Sequence, residues 1–238
     1  MDFKEKNILV VGGTSGIGLS LVNILQARQA NVYVISRSET DNLPSDVKHL
    51  QLDVLQELNT MSTFLPEKLH GLVYCVGSIN LKPLTRLSED DFLTDYKLNV
   101  IGATKVVQQS LKQLKNAEGA SVVLLSSVAA NLGMPYHASV SAAKAAVQGL
   151  ALSLAAELVA QKIRVNVIAP SLTDTPMAQN LLNTPEKKEG SAKRHPMGKY
   201  GNPEDISESI AFLLSDNSSW MTGQIIGIDG GMGKLKTN

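Results

Sequence analysis

The stretch "NILVVGGTSGIG" (7–18) decides the fold. A β-branched apolar run is followed at once by Gly12, Gly16 and Gly18, and a helical pattern begins after them. Glycines between a strand and a helix let an anion approach the backbone N–H groups at the helix N-terminus. The stretch therefore predicts a strand–turn–helix unit whose turn binds the pyrophosphate of a dinucleotide. A plain glycine-rich turn without a ligand is the alternative interpretation.

Six further apolar runs of strand length follow, and most lack a polar–apolar alternation, which is typical of strands buried on both faces of a parallel sheet. These runs lie at 31–36, 47–53, 71–76, 121–126, 163–169 and 224–229. Amphipathic segments of helix length occur between them, at 17–29, 99–117 and 139–162. This alternation predicts one α/β domain over residues 1–238, a Rossmann-type, doubly wound, mainly parallel seven-stranded sheet with helices on both faces.

Two segments between the predicted strands, 37–46 and 174–202, lack the clear helical pattern of the other connections. The segment "RSETDNLPSD" (37–46) has little periodicity, so any helix between the second and third strands is expected to be short. Residues 174–202 are rich in proline and charge and lie between two regular elements. Long irregular segments of this kind often cover sites, so we predict a substrate lid there.

The bulk composition excludes several classes of protein. The chain has 238 residues, with 22 Lys and Arg against 22 Asp and Glu, so its net charge gives no footprint for nucleic acid or an anionic membrane. A single cysteine, Cys75, allows no internal disulfide. Residues 1–6 lack a signal-peptide layout, and we expect no apolar stretch to reach the ~20 residues that span a bilayer. We therefore expect a cytoplasmic protein with a small-molecule substrate, no nucleic-acid or membrane partner and no metal ligand.

The glycine spacing resembles the T-G-x-x-x-G-x-G motif of the short-chain dehydrogenase/reductase family, with Val11 where that family often has threonine. Further similarities cover nearly the whole chain. "YCVG" (74–77) is similar to N-N-A-G in Gly77 only, and "APSLTDT" (169–175) is similar to P-G-x-x-x-T. The other matching motifs are "LDV" (52–54), "LNV" (98–100), "LSSVAA" (125–130) and "MTGQIIGIDGG" (221–231).

The resemblance implies a set of cofactor contacts, among which Asp53 would bond the adenine. The positions are Gly12, Thr14, Ser15, Gly16, Ile17, Gly18, Ser36, Arg37, Asp53, Val54, Cys75, Val76, Gly77, Lys144, Pro170, Ser171, Thr173 and Thr175.

The end of the second strand, "ISRS" (35–38), bears on which cofactor is preferred. A site for NAD would offer a carboxylate to the ribose 2′-hydroxyl at this point. Here Ser36 is followed by Arg37, and an arginine pairs well with a 2′-phosphate. The sequence therefore favours NADP(H) over NAD(H), with an ordinary exposed loop arginine as the alternative.

The resemblance also implies the residues at the reacting end. In the family a tyrosine exchanges a proton with the substrate, a lysine four residues later holds the ribose, a serine binds the carbonyl and an asparagine holds a water. Asn99, Ser127 and Lys144 match three of these positions. Position 140 lies four residues before Lys144 and thirteen after Ser127, where the tyrosine belongs, and it is Val140.

Four neighbours of Val140 have a side chain with a proton to exchange: Tyr136, His137, Ser139 and Ser141. His137 lies two helical turns before Lys144 and has a side chain suited to acid–base work near neutral pH. It is instead a loop histidine if the helix begins later, with Ser139 as the cap. Tyr136 is expected to be a packing residue, and Ser141 would point about 100° away from position 140.

Two classes of function follow. The first is an NADP(H)-dependent oxidoreductase acting on a carbonyl or alcohol, with the proton supplied by His137 or by water. The second is a non-catalytic NADP(H)-binding sensor or assembly protein on the same fold; another reaction in the same pocket, an isomerase or lyase, is a third. The resemblance further implies a homodimer or homotetramer formed through helices 99–117 and 139–162, although the alanines there also suit packing against the chain's own sheet.

Overall fold

One parallel sheet forms the centre of the molecule. The computed structural model describes residues 2–236, and within them seven strands pair in the order β3-β2-β1-β4-β5-β6-β7, every pair parallel. The strands are β1 (Asn7–Val11), β2 (Asn31–Ser36), β3 (Lys48–Gln51), β4 (Gly71–Tyr74), β5 (Ala120–Leu125), β6 (Ile163–Pro170) and β7 (Ile225–Ile228). Since the order reverses between β1 and β4, a crevice opens at their carboxyl ends. The predicted fold class is confirmed; residues 1, 237 and 238 of the predicted domain lie outside the described residues.

Helices cover both faces of the sheet. They are α1 (Gly16–Ala27), α2 (Met61–Phe64), α3 (Glu89–Tyr96), α4 (Gly102–Asn116), α5 (Ala138–Leu158), α6 (Pro185–Lys193) and α7 (Pro203–Leu214). Along β1, Ile8 and Val10 pack into a cluster with α1 and α7, whereas Leu9 and Val11 pack into a second cluster with α4 and α5. Successive strand residues point to opposite faces, so an unbroken apolar run is what a strand buried on both sides requires.

The long predicted helix at 99–117 begins differently from the expectation. A π-helical turn, Lys97–Ile101, joins α3 to α4, so that the backbone is helical from Glu89 to Asn116. Ser88 starts this run with a capping box, in which its hydroxyl accepts from the Asp91 N–H and the Asp91 carboxylate accepts from the Ser88 N–H. The connection between β2 and β3, as expected, has no helix within residues 37–47.

The predicted lid segment, 174–202, is an excursion whose two ends are tied together. The Asp174 N–H donates to the Gly201 carbonyl (2.9 Å), and the Gly201 N–H donates to the Leu172 carbonyl (3.0 Å). Between these ties the chain forms a 3₁₀ turn, Pro176–Leu181, and helix α6. The segment is therefore more regular than its composition suggested, and its role as a lid stays a prediction.

Helix α5 is more apolar over its length than we expected from the sequence. With the 3₁₀ turn that extends it, Ala138–Gln161 has 24 residues and a mean hydropathy of 1.3, enough by length and composition to cross a bilayer. The prediction that no stretch reaches this length is therefore wrong. The apolar character has a structural reason, because Val147, Ala151 and Leu158 are buried in the core cluster beneath the sheet. Leu152, on the same helix, is 48% exposed.

The glycine-rich turn is closed by a backbone contact that excludes any side chain at position 18. A Cβ built on Gly18 would lie 2.1 Å from the Gly12 carbonyl oxygen, and Gly12 itself has a φ of +83°, in the left-handed region. The turn can therefore fold back on β1 only with glycine at these positions.

We expect Gly18→Ala to lower the free energy of unfolding by about 3 kcal/mol, the upper end for overpacking, because backbone rather than a flexible side chain must move. Gly190→Ala is the matched control. Gly190 lies within α6 with nothing within 4 Å of its ideal Cβ, so alanine should stabilise the protein by roughly 0.5 to 1 kcal/mol. Urea unfolding of both variants measures this, and equal effects would contradict the steric argument.

Candidate active site

A cavity of about 280 Å³ lies at the carboxyl ends of the central strands. Fourteen of the predicted site residues line it, although they come from five separate stretches of chain. They are Gly12, Ser15, Gly16, Ile17, Gly18, Cys75, Gly77, Ser127, His137, Lys144, Pro170, Ser171, Thr173 and Thr175. The fold thus brings the glycine-rich turn and the predicted reacting end to one place.

Seven predicted positions do not line this cavity: Thr14, Ser36, Arg37, Asp53, Val54, Val76 and Asn99. Ser36 is buried, and its hydroxyl donates to the Ser38 carbonyl and lies 2.8 Å from His49 Nε2. The Asp53 carboxylate accepts from the Leu55 N–H at 2.9 Å. Arg37 is exposed. The roles assigned to these residues at the adenine end stay predictions.

Lys144 is the central charged group of the site. Its Nζ donates to the Leu125 carbonyl at 2.8 Å, and the residue is only 8% exposed. Burial lowers the pKa of this amine from 10.5 to about 8, and the neighbouring Cys75 and Asp95 offset part of that shift. The thiol of Cys75 is itself protonated, because burial raises its pKa to about 12, so it offers no nucleophile at neutral pH.

Asn99 lies behind the cavity wall, on the π-helical turn. Its Nδ2 donates to the Asp95 carbonyl at 2.8 Å, while its buried Oδ1 has no hydrogen-bond partner within residues 2–236. A Cβ on Gly77 would be 3.2 Å from Lys144 Nζ and 3.3 Å from Asn99 Oδ1. Glycine at 77 therefore leaves room for both polar groups, and single π turns are frequent at functional sites.

Ser127 follows β5 and begins the short turn Val128–Ala130. Its Oγ accepts from the Ala129 N–H at 3.2 Å. This contact uses the oxygen as an acceptor and leaves the hydroxyl proton for a ligand in the cavity.

Val140 occupies the α5 face one turn before Lys144, lines the cavity and is 7% exposed. The neighbours considered as proton donors in place of a tyrosine differ in exposure and in hydrogen bonding. Tyr136 is 60% exposed with a φ of +69°, so its prediction as a packing residue is wrong. Helix α5 begins at Ala138, which places Ser139 inside the first turn rather than at the cap. The Ser141 hydroxyl donates to the Ala129 carbonyl at 2.8 Å, so its proton is already used in this hydrogen bond.

His137 stands at the N-cap position of α5, half-buried, and lines the cavity. Its Nδ1 lies 2.7 Å from the Pro135 carbonyl, which can only accept, so Nδ1 carries the proton. The Nε2 atom is then the acceptor of the ring. Its role as the proton donor stays a prediction.

The sequence and the fold of this chain are both similar to those of known proteins. A family model described as Enoyl-(Acyl carrier protein) reductase matches residues 11–233. A tropinone reductase homologue of Arabidopsis thaliana is 33% identical, covering 95% of this chain and 92% of that protein. The 3-oxoacyl-(acyl-carrier-protein) reductase FabG of Thermotoga maritima is 32% identical, covering 98% and 99%.

The chain belongs to the short-chain dehydrogenase/reductase family. Solved structures agree with this assignment. A short-chain type dehydrogenase/reductase from Mycobacterium ulcerans superimposes with a TM-score of 0.90 at 30% identity, covering 98% of this chain and 91% of that one. ElxO with NADP bound superimposes with a TM-score of 0.88 at 27% identity, covering 97% and 99%.

Sequence reasoning about the family missed two side-chain pairs in the cavity wall. Ser78 donates to the buried Asp95 carboxylate at 2.6 Å. Ser171 Oγ lies 2.9 Å from Nε2 of His195, a residue that is 3% exposed. Ser171 was expected to contact a short-chain dehydrogenase/reductase cofactor, but no spacing in the sequence pointed to His195, which lies in the lid segment.

Because the pKa of Lys144 is lowered in the folded protein, the free energy of unfolding should depend on pH. Between pH 8 and 10.5 the unfolded lysine binds a proton and the folded one does not, so the stability of the folded state rises with pH in that window. Relative to Lys144→Met, which cannot titrate, the free energy of unfolding of the wild type should increase by about 2 to 3 kcal/mol from pH 7 to pH 10. Urea unfolding at the two pH values checks this; a difference between the proteins that does not change with pH would refute the buried charge.

Proposed function

We propose that this protein is an NADP(H)-dependent oxidoreductase that interconverts a carbonyl and an alcohol group on a small molecule. The observation that carries the proposal is the shared cavity of the glycine-rich turn, Ser127 and Lys144. Two of the similar proteins are named as reductases, and ElxO has a structure with NADP bound.

The residues present fit a nicotinamide dinucleotide. Backbone N–H groups of the turn Gly12–Gly18 meet the N-terminus of α1, where a pyrophosphate is stabilised. Lys144 lines the cavity, where its Nζ would bind a ribose hydroxyl, and the unpartnered Asn99 Oδ1 lies behind it, next to Gly77. When bound, the cofactor gives or takes the hydride.

The chain's own residues act on the substrate. Ser127 donates its hydroxyl proton in a hydrogen bond to the substrate oxygen and so fixes the carbonyl next to Lys144. Leu172, Met177 and Leu181 give the cavity an apolar wall on the side of the lid segment. This wall excludes water from the reacting atoms and selects a substrate with an apolar body.

The preference for NADP(H) rests on Arg37. It is exposed at the carboxyl end of β2, directly after the buried Ser36, where a guanidinium meets a 2′-phosphate in open solvent. An aspartate or glutamate, the partner for a free 2′-hydroxyl, is missing from positions 36 and 37.

Arg37→Ala should weaken NADPH binding at least about tenfold and leave NADH binding unchanged, because only the former loses a charge-assisted pair. Fluorescence titration of both cofactors measures the two dissociation constants. Arg86→Ala, which removes an arginine from the turn Leu84–Arg86 outside the cavity, is the control for general charge effects. Equal weakening of both cofactors by Arg37→Ala would contradict the preference, and wild type that fails to bind either cofactor below millimolar would overturn the function.

The source of the proton for the substrate oxygen is the unusual part of the proposed reaction, because the valine side chain at position 140 has no acidic proton. We expect Val140→Tyr to reduce a panel of small ketones at least about tenfold faster, in kcat/KM, than Val140→Phe. The two side chains differ only in the phenol hydroxyl, and the Lys144 cation on the same helix face favours the ionised phenol. Consumption of NADPH measures both rates, and equal rates would show that a phenol at position 140 does not deliver a proton to the substrate oxygen.

A non-catalytic NADP(H)-binding role is the second candidate, favoured by the buried valine at the position of the acid. It predicts tight NADPH binding with no consumption on any ketone or aldehyde by the wild type. Turnover by the wild type excludes it.

A further inference from the structure

Ser171 and His195 form a hydroxyl–imidazole pair in the wall of the cavity. Ser171 follows β6 and is half-buried, His195 follows α6 in the lid segment, and both line the cavity. The contact joins Ser171 Oγ to His195 Nε2 at 2.9 Å. Two polar groups from segments 24 residues apart thus meet inside a largely apolar pocket.

The protonation of the imidazole follows from its other nitrogen. His195 Nδ1 lies 2.8 Å from the Ser191 carbonyl, which can only accept, so Nδ1 carries the ring proton. Nε2 then offers a lone pair, and the Ser171 hydroxyl donates to it. This is the arrangement in which a histidine takes a proton from a hydroxyl group, with the ring held by a bond on its far side.

The pair stands next to Ser127. Strands β5 and β6 are adjacent, and Leu125 pairs with Ile168 in their register. Ser127 lies two residues beyond Leu125, and Ser171 lies three residues beyond Ile168, at the same edge of the sheet. Ser127, Ser171 and His195 all line the same cavity, so a substrate bound by Ser127 there also lies in the cavity that the pair faces.

We propose that Ser171, coupled to His195, exchanges the proton with the substrate oxygen in place of the missing tyrosine; this rests on the oxidoreductase function proposed above. Reduction starts from the imidazolium form of His195, in which Nε2–H donates to Ser171 Oγ and leaves the Ser171 hydroxyl proton free for the substrate oxygen. The carbonyl carbon gains a hydride, the C=O π pair moves to the oxygen, and that oxygen takes the Ser171 proton. Ser171 Oγ then takes the proton from Nε2 of the imidazolium of His195. The ring is left with its proton on Nδ1, as in the structure, and solvent restores the proton on Nε2 once the product has gone.

Oxidation follows the same path in reverse, with the alcohol proton passing to Ser171 and the Ser171 proton to Nε2. Lys144 is assigned a separate role, because Nζ donates one of its three protons to the Leu125 carbonyl and the others are proposed above to bind cofactor hydroxyls. His137 competes for the role, since it also lines the cavity and its Nδ1 is also bound to a carbonyl, but within residues 2–236 no hydroxyl group is paired with its Nε2.

The test places Ser171→Ala in two backgrounds. In the wild-type background, kcat for ketone reduction at saturating NADPH should fall at least about 100-fold, whereas Ser171→Thr, which keeps a hydroxyl, should retain most of the rate. In the Val140→Tyr background the same Ser171→Ala change should cost less than about fivefold, because the phenol supplies the proton. A merely structural role for Ser171 would give the same loss in both backgrounds and would overturn the proposal.

His195 is tested by chemical rescue and by a signal that needs no turnover. His195→Ala should lose a similar factor in kcat and regain activity when imidazole is added. In the wild type, ¹⁵N NMR should show the proton of neutral His195 on Nδ1, and the Nε2 signal should shift in Ser171→Ala. A Nδ1-unprotonated ring, or a loss of activity confined to His137→Gln, would refute the pair. NADPH binding without any turnover by the wild type would instead count against the oxidoreductase function itself.

Discussion

The buried hydrogen bond from Lys144 to the Leu125 carbonyl sets the geometry on which the site depends. It ties helix α5 to the end of β5, and two further bonds reinforce it: Ser126 donates to the Lys144 carbonyl, and Gln148 donates to Ser126. Burying an ammonium group is unfavourable unless its protons are bonded, so the helix cannot rotate or slide without losing these contacts. The register of α5 against β5 follows, and with it the approach of position 140 to Ser127.

The same register explains why so much of the site was visible in the sequence. The strand runs, the glycine turn and the four-residue spacing of position 140 and Lys144 on α5 are each set by local sequence, and Ser127 follows β5. The parallel sheet brings the carboxyl ends of its strands to one edge, where these residues meet. The contact of Ser171 with His195 was not visible, because it depends on how residues 174–202 fold between their two backbone ties. The π turn at Asn99 was also missed, since hydrophobic periodicity does not distinguish it from an α-helical turn.

Polar groups that are costly to bury gather on one side of the reacting end. Asp95 is 1% exposed, and one of its carboxylate oxygens, like Asn99 Oδ1, has no partner within the described residues 2–236. Unpaired buried acceptors each cost about 1 to 3 kcal/mol. Asp95 and Asn99 lie next to Lys144, so part of this cost falls at the candidate site. Five further residues have a buried polar atom without a partner within residues 2–236: Ser20, Ser110, Gln113, Ser139 and Gln161.

The valine at position 140 changes where the acid–base chemistry can reside. A tyrosine on α5 would be fixed by the helix and present whether or not the lid segment is in place. His195, in contrast, belongs to the lid segment, and Ser171 belongs to the end of β6. The pair forms through the contact of residues 174–202 with the end of β6, so the proposed acid depends on how this segment packs against the sheet rather than on the register of α5.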